Sequence, residues 1–208
     1  MITENKGVVT GILIAATLWF FMFSPWTAPM INFWGAMTFS AVILTCVSRW
    51  LCPEMFKELR FGGKHIVLGF AIAFVLWWVF WIGDKMSQLI FNFARPQVDM
   101  IYSMGNGTSS VIIVILLLLI IGPAEEIFWR GFVQRRLMLR FGSNIGFIAA
   151  TVCYALVHIW SFNFMLVMAA LVVGFCWGLI YRFFPRLLPA LIVSHAVWDA
   201  CAFVIFPF

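Results

Sequence analysis

The chain has 208 residues, of which 64% are hydrophobic, 18% aromatic and only 10% charged. Soluble domains contain about half apolar and a quarter charged residues, so this composition excludes an ordinary soluble enzyme and predicts a multi-span membrane protein. A net charge of +5 would suggest a nucleic-acid partner in a soluble protein. Here most of the positive charge falls in alternate loops between apolar runs, which indicates membrane topology, and we predict no nucleic-acid binding.

Seven apolar runs have about the length that a helix needs to cross a bilayer, which is about 20 residues. They predict an all-α bundle of about seven transmembrane helices. We divide it into an N-terminal part, residues 1–109 with spans 1 to 3, and a four-helix part, residues 110–208. The predicted spans are residues 7–23, 31–48, 66–83, 110–130, 144–160, 163–182 and 187–206.

The basic residues predict the orientation. The first apolar run follows a segment with a single lysine, Lys6, and no good small-residue cleavage site comes after it, so we expect it to be retained as a span. With Arg130 included, 11 of the 13 basic residues lie at the N-terminus or in alternate loops. Because basic loops remain in the cytoplasm, the N-terminus is predicted to be cytoplasmic.

Two connecting segments carry further predictions. Residues 52–64 alternate apolar and charged residues at helical spacing, which predicts a short amphipathic helix on the inner surface that ends at Gly62 and Gly63. Residues 84–109 form the longest predicted non-spanning segment. An interfacial connector is the favoured interpretation and a substrate lid is the alternative. Five cysteines without a CxxC pair predict no disulfide framework and no cysteine zinc site.

Ionisable residues inside predicted spans are the candidate functional residues, because they are costly in a bilayer and usually face the bundle interior. Three spans contribute them, all about 12 to 21 Å from the inner boundary by the helical rise, so a single cluster is feasible. The tryptophans and phenylalanines are interpreted as core or lipid-facing residues. The candidates are Glu125, Glu126 and Arg130 in span 4, His158 in span 5, and His195 and Asp199 in span 7.

The spacing within span 4 predicts one ion pair and one free carboxyl. Glu126 and Arg130 stand at i and i+4 with the acid N-terminal, the favourable order for a helical ion pair. Glu125 lies about 100° further round the helix and has no local partner, which makes it a candidate general base. A buried structural pair without catalytic function is an equally weighted interpretation of Glu126 and Arg130.

The two histidine-bearing spans also allow a structural interpretation. His195 and Asp199 stand at i and i+4, so the aspartate can orient the imidazole or simply pin the helix. A lone His158 facing the bundle would more often be a hydrogen-bonded core histidine than a catalytic group. The convergence of these groups with Glu125 at one depth is what favours a functional site.

Three motifs in order resemble a known family. EEIFWR at residues 125–130 fits EExxxR, YALVH at residues 154–158 fits aromatic-xxx-His, and HAVWD at residues 195–199 fits Hxxx(Asn/Asp). Together they resemble the CAAX protease and bacteriocin-processing (CPBP, or Abi) family of intramembrane endopeptidases. The resemblance covers about residues 110–206, and spans 1 to 3 carry none of it.

The resemblance implies a catalytic four-helix core that hydrolyses a peptide bond with a glutamate-activated water. Glu125 would activate that water and His158 would help to position it, while Glu126 would pair with Arg130. The substrate would be a membrane-embedded or membrane-associated protein or peptide. The compact chain looks more like the bacterial members, so the expected location is the bacterial inner membrane, with the lipid bilayer as its surroundings.

The resemblance also implies that His195 and Asp199 form the oxyanion-stabilising side of the site. Two positions depart from the common pattern: Tyr154 stands where phenylalanine is common, and Asp199 stands where many members have asparagine. An amide can donate to an oxyanion and an ionised carboxylate cannot. We therefore predict that Asp199 is protonated or serves only to hold His195.

Whether a metal takes part is left open, since family members have been described both as metalloproteases and as metal-independent glutamic proteases. The sequence favours no cofactor, because HExxH is absent and the ligands are dispersed over three helices. A zinc ion held by Glu125, His158 and His195 is the alternative.

Two other classes of function remain as alternatives. A proton-coupled transporter would use ionisable groups strung through the membrane, whereas here nearly all lie at one depth. A non-catalytic scaffold or immunity protein would retain the polar cluster for packing, and would tolerate Glu125→Gln.

Overall fold

The computed structural model describes residues 2–208 and the side chains of residues 7–208. Lys6, used above for topology, therefore lies outside the described side chains. Within residues 2–208 the structure is helical without strands, and six helices are long and apolar enough to cross a membrane, with the shorter apolar Gly7–Phe23 as a seventh. The predicted all-α bundle of about seven membrane helices is confirmed. The helices are α1 Ile2–Phe23, α2 Phe33–Leu51, α3 Pro53–Glu58, α4 Gly63–Ile90, α5 Ala94–Ser103, α6 Ser110–Phe141, α7 Ser143–Ser161, α8 Phe164–Phe183 and α9 Pro185–Ile205.

Helix α4 is longer than the predicted span 66–83, because the charged residues after Gly83 continue the helix. Gln88 Nε2 donates to Asp84 Oδ2 over 2.6 Å, and Lys85 Nζ lies 3.1 Å from the same oxygen. One oxygen of this carboxylate, Oδ2, is thus satisfied within its own helix. The prediction of a non-spanning segment over residues 84–109 was wrong for its first part, and most of the remainder forms α5.

Helix α3 lies at one end of the bundle and is shorter than predicted. It ends at Glu58, four residues before Gly62, which instead precedes the first turn of α4. Arg135 on α6 binds Glu58 through two hydrogen bonds of 2.7 and 2.9 Å, and Arg136 lies 2.9 Å from Glu54. The chain must leave this surface after Glu58 to enter α4, which explains the early end of the helix.

Helix α6 is irregular where it carries the two adjacent glutamates. A short α-helical stretch, Gly122–Glu126, lies between π-helical segments at Leu117–Ile121 and Ile127–Gln134. Pro123 lacks an N–H and its ring crowds the preceding turn, so a wider turn at this point accommodates it. The irregular turns set the directions in which the glutamates leave the helix.

Helix α9 packs closely against both α6 and α4 through glycines. A Cβ added at Gly122 would lie 2.7 Å from Ala196 Cα, and one added at Gly69 would lie 2.6 Å from Val193 Cβ. Small residues allow membrane helices to approach in this way. The contact at Gly122 brings the histidine next to Ala196 alongside the glutamates of α6.

Candidate active site

A cavity of about 570 Å³ lies inside the bundle, and every helix except α3 contributes to its wall. Its volume falls within the range of about 300 to 1,000 Å³ typical of ligand pockets. Most of its wall is apolar and aromatic. Four of the predicted site residues line it: Glu125, His158, His195 and Asp199.

Glu126 lies behind the cavity wall and joins two helices through one oxygen. Its Oε1 accepts from Arg130 Nη1 over 2.7 Å and from His195 Nδ1 over 2.9 Å. The three side chains are buried. The predicted i, i+4 pair with Arg130 is present, and its carboxylate also holds a histidine from α9, which the spacing within one helix does not reveal.

Arg130 is enclosed by aromatic rings as well as by its carboxylate partner. Its guanidinium carbon lies 4.7 Å from the Tyr154 ring centre and 5.4 Å from that of Trp177. Nη2 also lies 3.4 Å from the carbonyl oxygen of Gly174. Aromatic faces attract cations, so the charge of Arg130 is satisfied without access to the cavity.

His195 lies between two carboxylates. Nδ1 donates to Glu126, whereas Nε2 lies 3.4 Å from Asp199 Oδ2, longer than the usual 2.9 to 3.0 Å. Nε2 and Oδ2 are thus within ion-pair distance of each other but not at close hydrogen-bond distance. The ring stacks on Trp177 with the centres 4.1 Å apart. His195 is therefore held firmly at Nδ1 and loosely on the side of Asp199, the cavity-lining partner.

Glu125 has a partner that the sequence did not predict. The Tyr154 hydroxyl donates to Glu125 Oε2 over 2.9 Å, and both residues are buried and line the cavity. No hydrogen bond from the described residues reaches Glu125 Oε1. The prediction that Glu125 lacks a partner holds within α6, but the partner comes from α7.

Both ring nitrogens of His158 are occupied. Nδ1 faces the carbonyl oxygen of Tyr154 at 2.8 Å, and the Trp19 indole N–H donates to Nε2 over 3.0 Å. An indole N–H can only donate and a carbonyl can only accept, so the proton of His158 is on Nδ1. Trp19, buried in α1, was interpreted from sequence as a packing residue alone. A buried tryptophan N–H usually finds an acceptor, but no sequence motif indicates that the acceptor is His158.

Asp84 is a further acidic residue in the cavity wall that the sequence analysis placed outside the spans. It is 6% exposed, and its Oδ1 has no hydrogen-bond partner among the described residues. Phe80, one turn earlier on α4, packs against Trp198 with ring centres 4.6 Å apart. Along α4, Asp84 therefore lies one helical turn, about 5 to 6 Å, past the residue that contacts Trp198.

The three side chains suggested for zinc do not fit a metal in this arrangement. Both ring nitrogens of His158 and of His195 face protein partners, and Glu125 Oε2 accepts from Tyr154. Among the described residues, no group of three or more His, Cys, Asp or Glu is arranged to hold a metal ion.

The fold and the site are those of a polytopic membrane protein with a buried acid–base cluster beside an apolar cavity. Residues 107–201 match the family described as Rce1-like, type II CAAX prenyl endopeptidase. This match over just under half of the chain confirms the resemblance found in the three motifs. The apolar helices and this match identify an integral membrane protein, and the match supports a membrane protease. Comparisons with curated proteins and with solved structures found no match.

Proposed function

We propose that the protein hydrolyses a peptide bond of a membrane-associated protein or peptide, with Glu125 as the general base. The observation that carries this proposal is a buried carboxylate on the wall of a largely apolar cavity. One oxygen is engaged by Tyr154, and the other makes no hydrogen bond with the described residues. His195 and Asp199 line the same cavity, so base and hydrogen-bond donor can act on one substrate carbonyl.

In the proposed reaction Glu125 removes a proton from a water molecule, and the water oxygen attacks the carbonyl carbon. A proton carried by His195 Nε2 or by Asp199 is donated as a hydrogen bond to the resulting oxyanion. Glu125 then passes its proton to the leaving nitrogen as the C–N bond breaks. The products are a new C-terminal carboxyl group and a new amine.

Glu126 and Arg130 support this reaction without contacting the substrate. Arg130 satisfies the charge of Glu126, and Glu126 fixes His195 through Nδ1. Because Nδ1 is held at 2.9 Å and Nε2 only at 3.4 Å, the ring keeps its orientation while its cavity-facing hydrogen bond can be exchanged for one to the substrate.

His158 takes a different part from the one that the resemblance implies. Both of its ring nitrogens are engaged, by Trp19 and by the Tyr154 carbonyl, so no free nitrogen remains to hold the water. We propose that His158 fixes the position of Tyr154, and through it that of Glu125.

We propose that the reaction uses no metal, because the imidazole nitrogens of His158 and His195 are engaged by protein partners. Purified protein should then retain cleavage in the presence of EDTA and 1,10-phenanthroline. Loss of cleavage that added zinc restores would overturn this part of the proposal.

The proposed surroundings are the bacterial inner membrane, with the α3 end of the bundle in the cytoplasm. This orientation is favoured by 10 of the 13 basic residues, which lie at the N-terminus or in or next to alternate loops, whereas Arg130 is buried in the bundle. In cells, a membrane-impermeant thiol reagent should label Gly105→Cys and leave Arg60→Cys unlabelled, with natural cysteines replaced. The reverse pattern would overturn the orientation.

The proposed function is tested by comparing protein termini in native membranes that contain wild type, Glu125→Gln or His158→Ala. We expect a small set of membrane proteins to retain uncut tails in both variants. Glu58→Gln, which removes a carboxylate at the α3 end, is the matched control and should behave as wild type. Unchanged termini with folded variants would overturn the proposal and favour a scaffold or a transporter.

A further inference from the structure

The hydroxyl group of Tyr154 is the one hydrogen-bonding group from the described residues that contacts Glu125. Tyr154 stands at the aromatic position of the aromatic-xxx-His motif, which a phenylalanine without a hydroxyl would also fit. The tyrosine is 5% exposed and lies in the wall of the cavity. A hydroxyl in such surroundings would be costly to bury without a partner, and its partner is the proposed base.

The contact divides the roles of the two carboxylate oxygens. Oε2 accepts from the tyrosine, whereas Oε1 makes no hydrogen bond with the described residues. Only Oε1 therefore has its full accepting capacity for a proton from water. A hydrogen bond to one oxygen also restricts rotation of the carboxylate about its terminal bond, which is otherwise broad and roughly two-fold.

The ring of the same residue also contacts the cation of the cluster, Arg130. The Tyr154 ring faces the Arg130 guanidinium at 4.7 Å, while the arginine directs its hydrogen bonds to Glu126 and Gly174. A carboxylate drawn into an ion pair with Arg130 would be a weaker base. Tyr154 thus holds Glu125 through its hydroxyl and occupies one face of Arg130 with its ring.

The backbone of Tyr154 is fixed as well. Its carbonyl oxygen accepts from His158 Nδ1 over 2.8 Å, and His158 is held in turn by Trp19 on α1. The position of the hydroxyl next to Glu125 therefore depends on α7, which carries Tyr154, on α1 through Trp19, and on α6 through Arg130.

From these contacts we infer that Tyr154 is a positioning residue for the reaction, whose hydroxyl orients Glu125 so that Oε1 faces the attacking water. This inference rests on the proposed function of Glu125. Tyr154 acts through the carboxylate and takes no proton in the reaction.

Tyr154→Phe tests the inference because it removes one oxygen atom and retains the ring against Arg130. With purified protein and a synthetic peptide spanning the bond identified by the terminus comparison, we expect kcat to fall about 10-fold or more, the loss typical of a hydrogen bond to a charged group, with KM unchanged. Tyr181→Phe is the matched control, since Tyr181 is also buried and lies outside the cavity wall. It should keep wild-type kcat.

A double-mutant comparison separates positioning from general packing. Glu125→Asp shortens the side chain by one methylene, so its carboxylate no longer reaches the Tyr154 hydroxyl. In that background Tyr154→Phe should therefore change kcat little. A tyrosine that only packs would cause the same fold loss in both backgrounds, and that result would overturn the inference.

A spectroscopic measurement keeps the test independent of turnover. The infrared carboxyl band that disappears in Glu125→Gln should shift in Tyr154→Phe and stay in place in Tyr181→Phe. Suppose that wild type cleaves and Glu125→Gln does not. If Tyr154→Phe then has wild-type kcat and an unshifted band, the inference about Tyr154 is wrong while the proposed function stands. If Glu125→Gln cleaves normally, the proposed function fails and the inference with it.

Discussion

The region that matches the family and the region before it contribute different things to the same cavity. All six candidate residues predicted from the motifs lie within residues 107–201. The N-terminal helices add the indole of Trp19 against His158, the carboxylate of Asp84 and much of the apolar wall. The difference teaches that the matched helices hold the six predicted candidate residues, whereas the preceding helices enclose the cavity, add the carboxylate of Asp84 and fix His158.

The largest expected effect on stability is in the matched region. Arg130→Met leaves Glu126 buried without its cation, and breaking such a buried pair costs about 3 to 5 kcal/mol. Reversible unfolding of the purified protein in detergent measures this cost. Arg135→Met is the control, because Arg135 pairs with Glu58, which is 60% exposed, and such pairs contribute about 0 to 1 kcal/mol. Equal losses in the two variants would contradict the assignment of Arg130 to a buried structural pair.

An intermediate effect is expected where the two regions meet. Trp19→Phe removes the donor to His158 Nε2 and should lower kcat about 10-fold, as loss of a supporting hydrogen bond commonly does. In ¹⁵N spectra of histidine-labelled protein, the Nε2 resonance of His158 should move to the position of an unbonded nitrogen.

Trp129→Phe is the matched control for that variant. Trp129 is equally buried, packs against Trp19, and its own N–H has no partner among the described residues. Its loss should leave the His158 resonance in place. Increased cleavage by Trp19→Phe would contradict our account and indicate that His158 itself holds the water once Nε2 is free.

The smallest effect is expected at Asp199. An amide can still accept from His195 Nε2 and can also donate to an oxyanion, so Asp199→Asn should preserve cleavage to within about threefold. Steady-state cleavage of the synthetic peptide checks this prediction. Complete loss would show that the negative charge of Asp199 is required.

The sequence predicted what a single helix determines. The pair of Glu126 with Arg130 follows from i, i+4 spacing and is present. The end of α4 was misplaced at Gly83 because two charges follow it, although Gln88 binds one oxygen of Asp84 within the helix. Composition identified the apolar part of α4, but it could not show that the hydrogen bond between Gln88 and Asp84 lets the helix continue past Gly83.

Contacts between helices were beyond prediction from one sequence. His195 reaches Glu126 because α9 approaches α6 closely at Gly122. The bond from Tyr154 to Glu125 likewise depends on how α7 is rotated against α6. Motif order and depth indicated that these groups could share a site, but the choice of partner depends on helix packing.

The most direct test of the central claim is the cleavage rate of Glu125→Gln protein in proteoliposomes, using the peptide bond identified by the terminus comparison. The substituted amide can still accept from Tyr154, so the fold should be retained while the base is lost. Our account predicts a rate at least about 100-fold below wild type, the usual contribution of a general base, with an unchanged unfolding temperature. Cleavage at the wild-type rate would contradict the assignment of Glu125 as the base.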